Sequence, residues 1–202
     1  MTTSLTAWIV SQGEEILTGQ TIDTNANFLA AQLTAAGLRV LGSETAGDRH
    51  EAIVAALTRA TSSASVVICT GGLGPTTDDL TAAAAAESVG RDLRLSEEAL
   101  AQVVARFERA GRPMADANRK QGEMPLGSAV LANPIGTAPG FALTTDGGTR
   151  AYFLPGVPRE MKRTFSRSRF ITMRSSFNST PSEQEIALEK LSRLVTRRIR
   201  LT

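Results

Sequence analysis

The chain has 202 residues, 42% of them hydrophobic and 21% charged, which suits one sizeable α/β domain with an appendage rather than two full domains or a disordered polymer. No apolar run approaches the ~20 residues of a membrane span, and residues 1–12 lack the basic start, apolar core and cleavage site of a secretory leader, so a cytoplasmic protein with no membrane partner is expected. The lone cysteine, Cys69, excludes a disulfide framework or a cysteine metal cluster within one chain. The net charge of +2 hides an asymmetry: residues 162–202 carry ten Lys/Arg against three Glu, and the remainder is acidic. Aromatic residues are sparse in that basic stretch, so nucleic acid is not the expected partner.

In chain order, residues 5–10 form an apolar run that predicts a first strand, followed by a loop in which Gly13 and Gly19 bracket the pair Glu14 and Glu15. From Ile22, the recurrence of Ala26, Leu29, Leu33 and Ala36 predicts a helix stopped by Gly37. A second strand at 38–41 and a helix from Asp48 through Leu57 come next, Asp48 and Glu51 forming a capping-box-like start. The run 66–69 is a buried strand that meets Gly71, Gly72 and Gly74, then Pro75, Thr76, Thr77, Asp78 and Asp79, and a helix over 78–89 closed by Gly90. Strands separated by helices of about a dozen residues predict βαβ units and a mostly parallel sheet.

Ser96 caps a further helix ending at Gly111, with Leu100, Val103, Val104 and Phe107 on one face, and 115–121 is a short polar helix. Short strands at 129–131, 141–143 and 151–154 follow, the last two joined by a turn at 146–148 into an antiparallel edge hairpin. Pro158 opens a helix after Pro155 and Gly156. The domain is expected to span 1–165, with 166–202 a basic linker and an amphipathic helix opened by Ser182 and Glu185.

The glycine-rich turn between strand and helix carries the clearest chemistry. Glycine lets a ligand approach the backbone, and amides free at a helix start suit an anion, so Gly71, Gly72 and Gly74 predict a phosphate cradle to which Thr76 and Thr77 add hydroxyl donors. Asp78 and Asp79 would repel such a phosphate. A divalent cation, Mg²⁺ or similar, resolves the conflict, because Mg²⁺ takes one or two carboxylates together with substrate phosphates and water; as plain first-turn acids the pair would only complement a helix dipole. His50 reads as an exposed residue and Cys69 as a small core residue, so Ser-His or Cys-His nucleophilic chemistry is not expected.

Gly13 to Gly19, Thr70 to Thr81, Asn-Arg-Lys-Gln at 118–121, Gly-Thr-Ala-Pro-Gly at 136–140 and Pro-Gly-Val-Pro-Arg-Glu-Met at 155–161 together resemble the N-terminal domain of the competence/damage-inducible CinA proteins, within the molybdopterin-binding MogA/MoaB-like superfamily. The resemblance covers residues 5–165. It implies a three-layer α/β/α fold, a phosphate-bearing ligand at the glycine loop and a homo-oligomer. It also implies metal-dependent hydrolysis of ADP-ribose, the alternatives being a module that binds molybdopterin or a nucleotide without catalysis, and a molybdopterin adenylyltransferase. Full-length family members carry a further domain with nicotinamide-mononucleotide deamidase activity, for which 166–202 leaves no room.

On that resemblance Asp78 and Asp79 are the expected metal ligands and catalytic residues, with Glu15 and Asp48 as further metal ligands; Asp48 has a competing occupation as a helix cap. Arg159 is the expected catalytic cation, and Arg119 and Lys120 the expected phosphate contacts. Asn25, Asn118, Asn133, Gly136, Thr137 and Gly156 complete the expected ligand contacts, with Asn133 before Pro134 readable also as a turn residue.

Overall fold

A computed structural model describes residues 5–167. Its main sheet has six strands in the order β2-β1-β3-β8-β7-β6. These are β1 (Thr6–Gln12), β2 (Arg39–Ala46), β3 (Val66–Thr70), β6 (Ala129–Leu131), β7 (Gly140–Thr144) and β8 (Arg150–Leu154). The pairs β1–β2, β1–β3 and β3–β8 are parallel, while β8–β7 and β7–β6 are antiparallel. The hairpin expected at 141–154 is present, but β8 sits inside the sheet and the edge is β6.

Side-chain alternation along the central strands builds the two faces. On β3, Val66 and Ile68 enter one apolar cluster and Val67 and Cys69 the other; on β8, Tyr152 and Leu154 take the first side and Ala151 and Phe153 the second. The first cluster is covered by Leu29 and Leu33 of α2 (Thr24–Ala35) and Met161 and Phe165 of α6 (Pro158–Arg167). The second is covered by Ile53 and Leu57 of α3 (His50–Ser63), Ala84 and Ala85 of α4 (Thr81–Ser88), and Ala99 of α5 (Glu97–Arg109). This is the three-layer α/β/α fold. Ser96 caps α5 by accepting from the Ala99 amide, as its position in the chain predicts.

Several local expectations are corrected. The segment 14–17 is a short helix, α1 (Glu14–Leu17), and the next helix begins at Thr24, because Asp23 caps it by accepting from the Ala26 amide. A separate two-stranded ribbon, β4 (Leu93–Leu95) with β5 (Glu123–Pro125), escapes the sequence pattern since three-residue strands show no period. The polar segment at 116–122 is a 3₁₀ turn. The helix α6, for which the sequence offers only a start at Pro158, runs through Arg167, with buried Phe165 packed edge-on to Phe28 in its last turn. The helix expected after Ser182 lies outside the described residues. Among the described residues no helix is long and apolar enough to cross a membrane.

Burial also silences the chain's thiol. Desolvation pushes the Cys69 thiol from 9.0 up to about 12 and the Tyr152 phenol from 10.0 up to about 12, Arg150 partly opposing the latter. Both groups stay neutral in the folded state at pH values where the unfolded chain ionises. The contribution of these two groups to stability is therefore constant below about pH 9 and falls as pH rises from about 9 towards about 12. Urea midpoints at pH 8 and pH 10.5 measure this, and native protein at pH 8 should leave Cys69 unlabelled by a thiol reagent that labels the unfolded chain at once.

Candidate functional site at the carboxyl ends of the parallel strands

Strand order reverses between β1 and β3: the chain leaves β1 for β2 on one side and returns to β3 on the other. Loops leaving the carboxyl ends of two such strands diverge and open a crevice, where open α/β sheets gather ligands. Here a cleft of about 510 Å³ is lined by Gln12 and Glu15 after β1, Asp48 after β2, the loop from Gly71 to Asp79 after β3, and Pro155 and Gly156 after β8.

Two buried side chains hold the glycine loop, Thr81, whose hydroxyl lies 2.9 Å from the Gly71 carbonyl, and Gln12. Its Nε2 donates to Asp48 Oδ1 and, at 3.3 Å, to the Asp78 carbonyl; its Oε1 accepts from the Thr81 hydroxyl at 2.9 Å. Gly71 and Gly72 adopt φ of 107° and 63°, and a Cβ on Gly72 would overlap Gln12 Oε1 and Thr81 Oγ1. Helix α4 begins only at Thr81, three residues later than predicted, which leaves Asp78 and Asp79 in the loop rather than in a helical first turn. Among the described residues, no acceptor takes the amides of Gly72, Leu73 or Gly74, a run of donors suited to an anion.

Among the described residues, five carboxylates line the cleft, those of Glu15, Asp48, Asp78, Asp79 and Glu160, and no Lys or Arg does. Three are committed to the protein. Asp79 accepts from the Thr76 amide at 2.8 Å and the Thr76 hydroxyl at 2.6 Å; Asp48 accepts from Gln12 and, at 3.3 Å, from the Glu14 amide; Glu160 accepts from Asn133 at 2.7 Å. Asp48 is thus not a helix cap: the N-terminal neighbour of α3 is Arg49, and no side chain caps that helix. Glu15 makes no side-chain hydrogen bond to the described residues, and Asp78 has only the Thr77 hydroxyl at 3.4 Å. These two are therefore free to meet a cation. Among the described residues no three His, Cys, Asp or Glu side chains converge as a metal cage, so a cation here needs oxygen atoms from a ligand, the mode Mg²⁺ ordinarily adopts with phosphates.

The cleft thus assembles Glu15, Asn25, Asp48, Gly71, Gly72, Gly74, Thr76, Asp78, Asp79, Thr137 and Gly156 from the predicted set. The rest lie elsewhere. Arg119, Arg159 and Thr77 are exposed and do not line it. Lys120 Nζ donates to the Thr76 carbonyl at 2.6 Å and so pins the loop from behind. Asn118 donates to Gln121 Oε1, and Gln121 Nε2 donates to the Thr137 hydroxyl, a brace of the cleft wall. Asn133 closes a turn, its Oδ1 accepting from the amides of Ile135 and Gly136 and its Nδ2 donating to the Ala138 carbonyl; Gly136 serves that turn. Gln12, Thr70, Gln121 and Glu160 were not anticipated; only Glu160, a carboxylate in the first turn of a helix after Pro158, left a local signal. His50 pairs with Glu87 at 2.8 Å, away from the cleft.

A second depression, of about 630 Å³, lies at the opposite end of the sheet and is lined by hydroxyl residues. Thr61, Ser62, Ser63, Ser88 and Thr149 all donate to backbone carbonyls there, so their protons are already placed.

Residues 8–171 match the family described as "Probable molybdopterin binding domain". In a solved structure, the CinA protein from Thermoplasma acidophilum, of unknown function, superposes with a TM-score of 0.73 at 35% identity, over 79% of this chain and 93% of that one. The chain belongs to the molybdopterin-binding domain family, in its CinA-like branch. Among family members, a CinA-like protein from Geobacter sp. (strain M21) is 43% identical over 169 residues, covering 84% of this chain and 41% of that protein. A CinA-like protein from Gemmatimonas aurantiaca is 45% identical over 155 residues, 76% of this chain and 36% of its own length. The chain therefore spans about two fifths of these relatives. The tungsten cofactor synthesizing protein MoaB from Pyrococcus furiosus shares the fold, with a TM-score of 0.54 at 15% identity over 81% of this chain and 89% of that one.

Proposed function

We propose that this CinA-like domain binds a diphosphate-containing nucleotide, ADP-ribose, and hydrolyses its diphosphate with the help of a divalent cation. The observation that carries the reading is the pairing, among the described residues, of a run of free loop amides with five carboxylates and no lining Lys or Arg. Amides invite a phosphate and carboxylates reject it, and a cation held between ligand and protein reconciles the two.

In this reading Gly72, Leu73 and Gly74 hold phosphate oxygens through their amides, and Asp78 and Glu15 are the carboxylates that reach the cation. Such an ion, when bound, neutralises phosphate charge and orients the attacking water. Asp79 and Lys120 keep the loop in shape from its two sides, and Gln12 fixes Asp48 beside it. Water attacks one phosphorus, the bond from that phosphorus to the bridging oxygen breaks, and the products are AMP and ribose 5-phosphate; the proton lost by the water goes to a cleft carboxylate. Arg119 and Arg159, both exposed, have no part in this scheme within one chain.

Purified protein incubated with ADP-ribose and Mg²⁺ or Mn²⁺ should release AMP, and EDTA should stop the release. Absence of AMP with every divalent metal tried would overturn the hydrolytic reading. A second reading, a module that binds molybdopterin or a nucleotide without chemistry, is favoured by the lack of a three-ligand metal cage among the described residues and by the family description. It predicts saturable binding without product that survives Asp78→Asn. ATP-dependent product formation on molybdopterin would instead mark an adenylyltransferase.

A further inference from the structure

Asn25, at the start of α2, is 5% exposed and lines the cleft. Its Nδ2 donates to the Gly156 carbonyl at 2.6 Å and to the Thr70 hydroxyl at 3.2 Å. The Thr70 hydroxyl in turn donates to the Pro155 carbonyl at 2.9 Å, so its own proton is spent. This chain fixes which way the amide faces: a flipped Asn25 would set its oxygen against the Gly156 carbonyl, two acceptors at hydrogen-bond distance. The amide oxygen, Oδ1, is thereby aimed away from these partners, and it is buried with none of its own among the described residues. A buried acceptor left unpaired is costly and calls for a partner such as a water, an ion or a ligand; among the described residues, Asn25 Oδ1 is the only such buried side-chain atom on a residue that lines the cleft.

A phosphate cannot satisfy it, since at neutral pH a phosphate diester or diphosphate oxygen is itself an acceptor. A group that carries an O–H or N–H satisfies it, as would the cation proposed above, since an amide oxygen is also a hard metal ligand; the deoxy ligands below distinguish the two. The loop amides on one side of the cleft and this acceptor on another describe a ligand with anionic oxygens at one point and a neutral donor near them. We infer that Asn25 Oδ1 accepts a hydrogen bond from a hydroxyl of the terminal sugar, the one on the far side of the diphosphate from the nucleoside, and so selects diphosphates that carry this second sugar over a plain nucleoside diphosphate. This rests on the nucleotide reading given above. Thr70 is a positioning residue in it, holding the Asn25 amide in the productive orientation.

The test is binding by calorimetry with Ca²⁺ in place of Mg²⁺, comparing ADP-ribose, ADP, and ADP-ribose lacking the 2-hydroxyl or the 3-hydroxyl of the terminal ribose. Wild type should bind ADP-ribose about 10- to 100-fold tighter than ADP, the range for a buried neutral hydrogen bond whose loss leaves its partner unpaired. Removing one of the two hydroxyls should cost most of that factor. In Asn25→Ala the preference should shrink to within about threefold, and Thr70→Val, which keeps the side-chain shape, should shrink it in part. A thermal melt confirms that each variant is folded, and the deoxy ligands probe the same contact on unaltered protein. Equal discrimination in wild type and Asn25→Ala, or no penalty for either deoxy ligand, would overturn the assignment and leave the nucleotide reading standing. Binding of neither ADP nor ADP-ribose by wild type would overturn both, whereas discrimination that vanishes in Asn25→Ala without AMP release under Mg²⁺ would support the assignment and remove only the hydrolysis.

Discussion

Gly72→Ala is expected to cost about 3 kcal/mol of folding stability, against about 1 kcal/mol for Gly90→Ala. Both glycines hold left-handed backbone, with φ of 63° and 64°, and an L side chain there costs about 1–2 kcal/mol. The difference is in the surroundings. A Cβ at Gly90 meets nothing within 4 Å, whereas at Gly72 it overlaps Gln12 Oε1 and Thr81 Oγ1. Gln12 cannot step aside without giving up Thr81, Asp48 and the Asp78 carbonyl, all polar groups at the floor of the cleft. Each polar group left unpaired and buried costs about 1–3 kcal/mol. Urea unfolding of the two variants measures the contrast. A loss at Gly72 no larger than at Gly90 would mean that Gln12 is not a rigid hub. Gln12→Ala in the Gly72→Ala background should cost less than the two single losses added, because the first removes the atom on which the second collides.

The two adjacent aspartates are expected to separate by role. Asp78→Asn should lower metal-dependent release of AMP by about 100-fold or more, in line with the loss of a group that offsets charge in a transition state, while leaving the unfolding midpoint nearly unchanged. Its carboxylate is exposed and leans only on the Thr77 hydroxyl at 3.4 Å. Asp79→Asn should instead lower stability by about 1–2 kcal/mol, since its carboxylate takes both the amide and the hydroxyl of Thr76 and closes the loop beneath Gly74. Initial rates against Mg²⁺ concentration, set beside urea midpoints for each variant, distinguish the two. If Asp79→Asn removed activity without loss of stability and Asp78→Asn did neither, the assignment of the free and the committed carboxylate would be reversed.

Much of this architecture is legible in residue order because it depends on short-range rules. Unbroken apolar runs at 66–69 and 151–154 make strands buried on both faces, Ser96 makes a cap, and the glycines at 71, 72 and 74 make a loop that no side chain could follow. The same rules misjudged places where a local motif had a distant competitor. Asp48 followed by Glu51 reads as a cap, yet Gln12, 36 positions earlier, takes the Asp48 carboxylate because β1 and β2 end side by side. Asp78 and Asp79 read as a helical first turn, yet the helix waits until Thr81, whose amide binds the Gly72 carbonyl and whose hydroxyl binds Gln12.

The cationic residues show the limit most clearly. Arg119, Lys120 and Arg159 stand in motifs that suggest phosphate contacts, but a motif does not state a direction. Two of the three are exposed and do not line the cleft, and the third donates to the Thr76 carbonyl of the loop. Propensity and periodicity act over a few residues and are written in the chain: they settle that there is a strand, a glycine loop and two carboxylates after it. Which carboxylate is free, and which amide oxygen is left without a partner, follows from packing between segments dozens of residues apart. Asn25 meets Gly156 across 131 positions, and no local pattern encodes that contact. It exists because the sheet brings the carboxyl ends of β1, β3 and β8 together, where the cost of burying an unpaired polar group governs which partners the side chains take.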